Sequence, residues 1–554
     1  MSCWIVILAA NNAETGAGAM GEETGTVVGA DVQEAVFALL ARSETYGLDG
    51  AVKRIDTHGA VVFLAGADVY KVKRAVRYPF MDLSTLARRH RVCEAEIAIN
   101  RVNAPDIYLG VAPVVRRDGV LALGRDGQRA EDVAPAEVVE WAVHMKRFDE
   151  EATLDRLAER GALAPDIAAR LADMVVRAHA AAPPVPAPEA SVEELARYAR
   201  RNAEGVALRP EIVSVERLLA LKAASLAAHG RLRDLLAERA RTGFVRRCHG
   251  DMHLRNIVLI DGAPVLFDAI EFDESIGSID LLYDLAFLLM DLAARNLEAV
   301  ANGVLNRYLW ARDCDADIAG LAALPLLLSL RAGVRAMVAA AGLRYFEGEQ
   351  LSEATEEARA YVALAERFIA PPPPRLIAVG GLSGTGKSTL ARQLAPLVPG
   401  GVGAVHLRSD VVRKNLAGVA ETVRLPPEAY NADTTMAVYA RLRELALGAL
   451  RAGQSVIVDA VHAREDERDA IEAVARQAGA AFAGLWLEAP VGVLEARVTE
   501  RVGDASDADA GVVRGQANYT LGDIGWQRLA AQGEIGEVAD VAGKLLGLAG
   551  GGRA

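Results

Sequence analysis

The sequence predicts two domains: an α+β domain with a small β-rich lobe and a helical lobe, followed by an α/β domain with a mostly parallel sheet. The chain has 554 residues, which is more than one hydrophobic core usually organises. Four consecutive prolines at 371–374 cannot continue a helix and are typical of an extended linker. After them, short apolar runs alternate with amphipathic segments, which is the pattern of βαβ units.

In the first domain, the segment 59–76 contains two apolar runs around a Gly-Ala-Asp turn, and we expect a pair of strands there. A helical segment is expected to follow through Asn100, and another strand is expected at 138–145. From Ala152 onward the pattern is largely helical. Strands therefore come first and helices second, which predicts an α+β domain.

Two apolar stretches raise the question of a membrane segment. The run at 4–10 lacks a basic lead-in and is too short to span a bilayer, and the run at 321–330 is interrupted by Arg331 and Arg335. We therefore expect no membrane segment, and a buried helix at 321–330. The expected divisions are a disordered extension at 1–29, the α+β domain at 30–370, the linker at 371–374, the α/β domain at 375–545 and a flexible tail at 546–554.

The composition favours a small-molecule partner. With 61 basic and 74 acidic residues the net charge is −13, which disfavours a broad surface for nucleic acid or for an anionic membrane. The four cysteines show no CxxC pair and no zinc-site spacing. They are typical of reduced thiols in a cytoplasmic protein. The composition leaves the oligomeric state open.

Residues 376–390 read LIAVGGLSGTGKSTL, an apolar strand pattern followed by a glycine-rich loop and a helical pattern. This is the setting of a P-loop, in which backbone N–H groups close around phosphate oxygens where a Cβ atom would obstruct them. Lys387 supplies a positive charge and Ser388 an oxygen for Mg²⁺. The residues expected to bind ATP are Gly381, Ser383, Gly384, Thr385, Gly386, Lys387, Ser388 and Thr389.

A second group of polar residues lies upstream, in CHGDMHLRNIVL and VLFDAIEFD. An Asp, an Asn five residues later and an Asp after an apolar strand form the layout that phosphoryl transfer by a kinase-like fold needs. We expect Asp251 to accept the proton of a substrate hydroxyl, and Asn256 and Asp268 to hold Mg²⁺ against the phosphates of ATP. Asp280 and Asp284, one helical turn apart, are expected to cap or brace this loop.

HGDxxxxN followed by FDAIEFD resembles the aminoglycoside phosphotransferase family, relatives of protein kinases that phosphorylate hydroxyls of small molecules. The resemblance implies a protein-kinase-like fold in which a strand lysine pairs with a helix glutamate to orient the α- and β-phosphates. VYKVKR offers Lys71 and Lys73 on one face of a strand, and CEAEIAINR offers Glu94 and Glu96. We favour Lys71 with Glu96 and keep Lys73 and Glu94 as alternates.

After the P-loop, HLRSDVVRK places Asp410 just beyond an apolar strand and Arg413 three residues later. Such a carboxylate can take a hydroxyl proton while the arginine binds an anionic group of the acceptor. The pattern resembles the gluconate kinase, zeta toxin and polynucleotide kinase group of P-loop kinases, in which an Asp at this place is the base. The alternative for Asp410 is a helix N-cap.

Three further residues complete this second set. SVIVDAV places Asp459 at the end of a strand, where its carboxylate can contact Mg²⁺ or its waters. LEARVTER places Arg497 and Arg501 on one helical face, where a lid helix closes arginines over the transferring phosphoryl group. The alternative is that both arginines form surface ion pairs with Glu495 and Glu500.

The combination resembles a bacterial architecture, the bifunctional aminoglycoside phosphotransferase/ATP-binding protein. The resemblance implies two phosphotransferase sites that use ATP and Mg²⁺ and act on a small hydroxyl compound such as a sugar, sugar acid, nucleoside or aminoglycoside-like molecule. Two alternatives remain. In the first alternative, one domain is a regulatory ATP-binding or ATPase module that controls the other. In the second alternative, the C-terminal domain is a nucleic-acid 5′-end kinase.

Overall fold

The fold is described from a computed structural model of the chain. The structure describes residues 30–57, 59–78, 81–128, 132, 137–500 and 505–548. The predicted extension at 1–29, the end of the predicted tail at 549–554 and the predicted lid residue Arg501 lie outside the described residues.

The chain forms two compact units, each built from several segments. Unit 1 contains the described residues of Met1–Pro165, Arg177–Asp291 and Leu330–Ala365, and unit 2 contains those of Asp166–Val176, Leu292–Ser329 and Glu366–Ala554. The predicted fold class is confirmed, because unit 1 combines an antiparallel sheet with helices and unit 2 has a parallel sheet. Residues on both sides of the predicted linker at 371–374 belong to unit 2.

Antiparallel hairpins build unit 1. Its largest sheet has six strands in the order β1-β2-β3-β8-β6-β7, and β2 and β3 form the predicted pair around residues 66–67. Helix α1 (Ala30–Leu40) packs on this sheet through Val36, Phe37 and Leu40, because these side chains recur at helical spacing. The strands are β1 (Lys53–Asp56), β2 (Ala60–Ala65), β3 (Asp68–Lys73), β4 (Arg77–Tyr78), β5 (Met81–Asp82), β6 (Tyr108–Arg117), β7 (Val120–Leu123), β8 (Glu137–Lys146), β9 (Val245–Arg247), β10 (Ile257–Ile260), β11 (Ala263–Leu266) and β12 (Ser278–Asp280).

The predicted change to helical structure after Ala152 is confirmed. Between Ala152 and the proline run the helices are interrupted only by the short strands β9–β12 among the described residues. The helices up to the proline run are α1 (Ala30–Leu40), α2 (Leu86–Asn100), α3 (Leu154–Glu159), α4 (Ile167–Ala181), α5 (Ala190–Ala207), α6 (Val215–Arg241), α7 (Glu274–Gly277), α8 (Leu281–Ala294), α9 (Glu298–Arg312), α10 (Asp315–Gly320), α11 (Leu324–Gly342) and α12 (Gly348–Ile369), with short 3-10 helices at Ser43–Tyr46, Glu150–Ala152, Leu254–Asn256, Leu321–Ala323 and Leu343–Tyr345.

Unit 2 is built around a five-stranded parallel sheet in the order β14-β15-β13-β16-β17. The central strand β13 is buried along nearly its whole length, because helices cover both faces of a parallel sheet. Its elements are β13 (Arg375–Gly381), α13 (Lys387–Leu394), β14 (Val405–Arg408), α14 (Ser409–Leu416), α15 (Ala432–Arg451), β15 (Val456–Asp459), α16 (Glu465–Ala478), β16 (Ala481–Glu488), α17 (Val491–Glu500), α18 (Ala510–Gln516), β17 (Gln527–Ala530) and α19 (Ile535–Leu545), with 3-10 helices at Ala395–Leu397 and Pro427–Tyr430.

Helix α9 covers the edge of this sheet, although sequence analysis places it in the domain at 30–370. Asn302 donates to the carbonyls of Val402 and Ala404 (3.1 and 3.0 Å), and Asn306 accepts the N–H of His406 (2.7 Å). These bonds satisfy buried backbone groups in the edge strand β14 and in the residues just before it. The structure therefore places residues 292–329, and likewise 166–176, in unit 2.

The described chain contains one helical stretch, Asp315–Tyr345, that is long and apolar enough to cross a membrane by length and composition. Its mean hydropathy is 1.6, and 78% of its most apolar window is buried inside the fold. A core helix passes the same test when it is mostly buried, and the predicted buried helix at 321–330 lies within this stretch.

Candidate active sites

Two lysines of strand β3 share one carboxylate of helix α2. Lys71 Nζ lies 2.8 Å from Glu96 Oε1, and Lys73 Nζ lies 2.5 Å from Glu96 Oε2. Glu96 is fully buried, whereas the side chain of the alternate Glu94 is 59% exposed and lies 3.6 Å from His90. The structure therefore selects Glu96 and brings both lysines to it, as their spacing of two along the strand allows.

The lysines extend this pair into a chain of alternating charges. Lys71 Nζ also lies 3.3 Å from Asp268 Oδ1, and Lys73 forms an ion pair with Glu271. Burial acts against the charged form of Lys71, but Asp268, Glu96 and Glu271 raise its pKa well above the ordinary value. Burial likewise acts to raise the pKa of Asp268, but Lys71 and Lys73 hold that pKa at about 2. Both Lys71 and Asp268 therefore stay charged at neutral pH.

Sequence analysis missed Glu271. It lies three residues after Asp268 in FDAIEFD, and the only signal was one more carboxylate in a segment already noted for Asp268. A contact with a lysine 198 positions away cannot be read from that spacing.

A rigid loop holds the predicted base. Asn256 Nδ2 donates to both the carbonyl and Oδ2 of Asp251, each at 3.0 Å. Asp251 is fully buried, and its Oδ1 atom has no hydrogen-bond partner among the described residues. Burial acts to raise the pKa of Asp251, but His253 and His249 lower it below the ordinary value. The carboxylate is thus ionised, with one oxygen left to accept a proton.

The prediction that Asp280 and Asp284 brace this loop is confirmed for Asp284. Asp284 accepts the backbone N–H groups of His249 and Gly250 at 3.3 and 2.9 Å. Asp280 binds Arg239 through two charge-assisted hydrogen bonds of 2.7 and 2.8 Å. Asp284 therefore positions the loop, whereas Asp280 also accepts the N–H of Leu282 (2.8 Å) at the start of helix α8.

Asp268 has φ of 60°, a left-handed conformation that costs energy in a non-glycine residue. Its N–H donates to Tyr108 Oη (3.1 Å), and the next N–H, of Ala269, donates to Asn100 Oδ1 (2.8 Å). These contacts hold the turn that carries the carboxylate. Lys71, Asp268 and Glu271 line one cavity of about 290 Å³ beneath the sheet of unit 1.

In unit 2, the P-loop joins β13 to α13, as predicted. Gly384 has φ of 85°, and a Cβ atom there would lie 2.7 Å from the carbonyl oxygen of Leu494. Lys387 begins helix α13 and donates to the carbonyl of Leu382 at the other end of the loop (3.0 Å). The N–H of Ser383 donates to Gln516 Oε1 (2.7 Å), a contact that sequence analysis missed because Gln516 lies 133 residues away.

Three strands of unit 2 end at one edge of the sheet. The register pairs Asp459 with Val379 of β13 and with Arg408 of β14, so the carboxyl ends of these strands meet beside the P-loop. Burial acts to raise the pKa of Asp459, but His406, Arg408 and Lys387 hold it at about 2. The predicted metal ligand is therefore an anion at the edge that carries the P-loop.

Asp410 lies in the first turn of helix α14, where burial raises its pKa above the ordinary value. The N-cap position belongs to Arg408 and shows no side-chain capping bond, so the N-cap alternative for Asp410 is wrong. Arg413 donates to the carbonyl of Ala429 (2.9 Å), and its guanidinium lies 4.8 Å from the centre of the Tyr430 ring. Asp410, Arg413 and Lys387 line one large cavity.

Arg497 also lines this cavity and donates to the carbonyl of Ala531 (2.7 Å). Glu495, its ion-pair partner in the alternative interpretation, instead lies 3.1 Å from Arg514. The structure therefore places Arg497 beside the P-loop cavity but shows it holding the loop at 531–533. Arg501, predicted to act with it, lies outside the described residues.

Comparison with known proteins agrees with this division into two sites. The model described as "Phosphotransferase enzyme family" matches residues 83–323, and the model described as "AAA domain" matches residues 376–520. Uncharacterized proteins of Mycobacterium bovis and of Mycobacterium tuberculosis strain H37Rv are each 30% identical over 472 residues, covering 82% of this chain and 87% of the relative. The chain belongs to their family. It joins a phosphotransferase domain to a P-loop kinase-like domain, and it is an enzyme of the phosphotransferase type, as predicted.

Solved structures each cover part of this chain. A sugar kinase from Janibacter sp. HTCC2649 is 22% identical, covers 32% of this chain and 96% of its own, and has a TM-score of 0.25. A choline kinase from Cryptosporidium parvum Iowa II is 11% identical, covers 61% and 95%, and has a TM-score of 0.35. An APS kinase from Mycobacterium tuberculosis, solved with AMPPNP and APS, is 22% identical, covers 32% and 99%, and has a TM-score of 0.24. At these scores the neighbours identify no substrate for this chain.

Proposed function

We propose that the protein is a kinase with two nucleotide sites, each of which transfers the γ-phosphoryl group of ATP to a hydroxyl of a small molecule. The observation that carries the proposal lies in unit 1. Lys71 contacts both Glu96 and Asp268, while Asn256 holds Asp251 with one carboxylate oxygen unpaired among the described residues. A phosphate-binding cation, two metal-ligand candidates and a base are thus present in one unit.

In the unit 1 reaction, the hydroxyl oxygen of the acceptor forms a bond to the γ-phosphorus, and the bond from that phosphorus to the β–γ bridging oxygen breaks. The hydroxyl proton goes to Asp251 Oδ1, and ADP leaves with the bridging oxygen. Lys71 neutralises phosphate charge, and Glu96 holds the lysine in place at 2.8 Å. The buried carboxylate of Asp251 fits the role of base because it is ionised and rigidly held.

The residues present fit ATP and Mg²⁺. ATP would supply the phosphoryl group, and Mg²⁺ would neutralise the charge on the phosphate oxygens. Asn256 and Asp268 would hold the metal in unit 1, since an amide oxygen and a carboxylate are ligands that Mg²⁺ accepts. Ser388 and Asp459 would hold it in unit 2. The backbone cradle there extends from Gly381 to Thr389, at a place where a Cβ on Gly384 would collide with Leu494.

In unit 2, Asp410 is the proposed base. Its raised pKa lies nearer to neutral pH, and a general base is most efficient when its pKa is close to the working pH. Arg413 is the proposed contact for an anionic group of the acceptor. It is 8% exposed, and its charge faces a carbonyl and a ring rather than a carboxylate among the described residues. Arg497 and Arg501 are proposed to close over the phosphoryl group.

We propose a sugar, sugar acid, nucleoside or aminoglycoside-like compound as acceptor, and a cytoplasmic location. The phosphotransferase family model that matches residues 83–323 supports a hydroxyl acceptor, and the range of acceptors is as wide as the sequence resemblance leaves it. The acidic balance of the chain, with a net charge of −13, opposes the alternative of a nucleic-acid 5′-end kinase.

ADP release by the full-length protein tests the proposal, measured with and without a panel of hydroxyl acceptors and with an oligonucleotide. Asp251→Asn and Asp410→Asn should each lower the acceptor-dependent rate at their own site by about 10²–10⁴-fold. Asp234→Asn and Asp469→Asn, at exposed positions of unit 1 and unit 2, serve as matched controls. The proposal is wrong if both active-site variants phosphorylate every acceptor at the wild-type rate. ADP release that no acceptor stimulates supports a regulatory ATPase instead.

A further inference from the structure

The P-loop of unit 2 opens into a cavity of about 1810 Å³. Sites for one small ligand usually measure about 300–1,000 Å³, so this cavity has room for a nucleotide and a sizeable second molecule. Lys387 lines the end of the cavity that receives the nucleotide. Asp410, Arg413 and one face of helix α15 also line the cavity. The side chains of that face therefore border the space that a second molecule would occupy.

Three of the six carboxylates that line this cavity, those of Asp466, Glu467 and Asp507, already have partners. Asp466 forms an ion pair with Arg464, and Asp507 accepts from Lys414 (2.5 Å) and from Tyr430 Oη (2.6 Å). Glu467 accepts the backbone N–H of Arg464 at the start of helix α16 (3.2 Å). Among the described residues, none of the three forms an ion pair with Arg443 of helix α15.

Helix α15 presents Thr435, Tyr439 and Arg443 to the cavity at a spacing of four residues, so the three side chains form one stripe. Arg413 reaches the first of them, with Nη2 lying 3.4 Å from Thr435 Oγ1. Tyr439, in the middle of the stripe, is 8% exposed, and its Oη accepts the N–H of His462 (3.0 Å).

Arg443 occupies the far end of the stripe. With a rise of about 1.5 Å per residue, its Cα lies roughly 12 Å along the helix from that of Thr435, where Arg413 is held. Arg443 is half-buried and makes no hydrogen bond or ion pair with another residue in the described part of the chain. A guanidinium in a cavity is stabilised most by a bidentate anion, and no carboxylate of the described chain supplies one here.

We infer that Arg443 determines acceptor specificity in unit 2, and that the acceptor carries a phosphate or carboxylate group at the end remote from the reacting hydroxyl. The inference rests on the proposed function of this site. The hydroxyl lies at Asp410, which takes its proton while the oxygen bonds to the γ-phosphorus and ADP leaves. The remote anion lies one turn beyond Tyr439, at Arg443.

The mouth of the cavity suits the body of such an acceptor. Tyr430, Met436 and Tyr519 line it and are 40%, 60% and 53% exposed. Exposed aromatic and thioether side chains around a polar pocket are typical of surfaces that a ligand covers. An acceptor with a ring or a carbon chain between its hydroxyl and its anion would cover these three residues.

Acceptor kinetics of the full-length protein test this inference, in an Asp251→Asn background that silences unit 1. The probes are paired by charge: glucose with glucose 6-phosphate and with gluconate, and a nucleoside with its 5′-monophosphate. The variants are Arg443→Gln, Arg443→Lys to restore the charge, and Arg451→Gln as a control on the same helix, at an exposed position that does not line the cavity.

We expect the wild type to prefer the anionic member of a pair, and Arg443→Gln to raise the KM for that member about tenfold or more while changing kcat less than about twofold. Arg443→Lys should recover part of the affinity, and Arg451→Gln should change neither constant. Equal use of neutral and anionic acceptors, or a KM that Arg443→Gln leaves unchanged, overturns the inference while the proposed kinase function stands. Acceptor-independent ADP release with every probe overturns both.

Discussion

Asn306 connects helix α9 to the edge of the parallel sheet, and Asn306→Ala tests whether this helix belongs to unit 2. Its Oδ1 accepts the N–H of His406 (2.7 Å), and its Nδ2 donates to the carbonyl of Ala404 (3.1 Å). Asn306 and His406 are each 3% exposed, so water cannot replace the lost partner without opening the contact.

The expected loss follows from these bonds. An unsatisfied buried N–H at His406 costs about 1–3 kcal/mol, and loss of the bond to Ala404 costs about 0.5–1.5 kcal/mol. The carbonyl of Ala404 keeps its bond from Asn302 (3.0 Å), which limits the second cost. We therefore expect the free energy of unfolding of unit 2 to fall by about 2–4 kcal/mol, which lowers its Tm by about 5–15 °C.

Differential scanning calorimetry of the full-length protein measures the shift, and a nucleotide that binds the P-loop should raise the Tm of the affected transition and so assign it to unit 2. Asn103→Ala is the control, since the Asn103 side chain makes no hydrogen bond with another described residue. A fragment beginning at residue 371 lacks helix α9 and should be less stable or aggregate through β14. An unchanged Tm in Asn306→Ala, together with a fragment as stable as unit 2 in the whole protein, would refute the assignment.

Two further outcomes are expected. Glu96→Gln removes the carboxylate that both Lys71 and Lys73 contact and should lower kcat/KM for the unit 1 reaction by about 10-fold or more. Glu94→Gln, at an exposed position, is the control and should leave kcat/KM unchanged. Equal rates in both variants would contradict the role of Glu96. Burial acts to lower the pKa of His144, but hydrogen bonds with Asp126 (2.7 Å) and Asp68 (3.0 Å) raise it above its ordinary value of 6.5. The stability that protonated His144 contributes is therefore fully present below pH 6.5 and is lost as the pH rises through the raised pKa. In urea unfolding, His144→Gln should therefore lower the stability of unit 1 more at pH 6 than at pH 9. An equal loss at both pH values would contradict this role of His144.

Local patterns made much of the fold predictable. The hairpin β2–β3, the helical change after Ala152 and the P-loop at 381–389 each depend on residues close together in the chain, so periodicity and turn residues suffice to predict them. The strand positions of the lysines and the helix position of Glu96 were also predicted. The choice between Glu94 and Glu96 was left open, because both lie on one helix and only packing decides which side faces the sheet.

Contacts between distant segments could not be predicted. Glu271 reaches Lys73 from 198 positions away, and Gln516 reaches the P-loop from 133. Arg443 has no sequence signal beyond its place on an amphipathic helix, because its significance depends on which carboxylates of the cavity are already paired. A single chain sequence carries no information about such pairing.

The sequence by itself determined that this protein joins a phosphotransferase domain to a P-loop kinase-like domain, because each domain carries a short segment whose spacing is typical of its family: Asp251 to Asp268 in one, and Gly381 to Thr389 in the other. Only the tertiary structure decided which carboxylate holds the lysines, and that helix α9 belongs with the P-loop sheet. The physical reason is that the apolar side chains of a helix can pack against any sheet edge of suitable shape, and its amide side chains can hydrogen-bond to the backbone groups of that edge. Which edge it covers is settled only when the buried backbone groups of that edge find their partners.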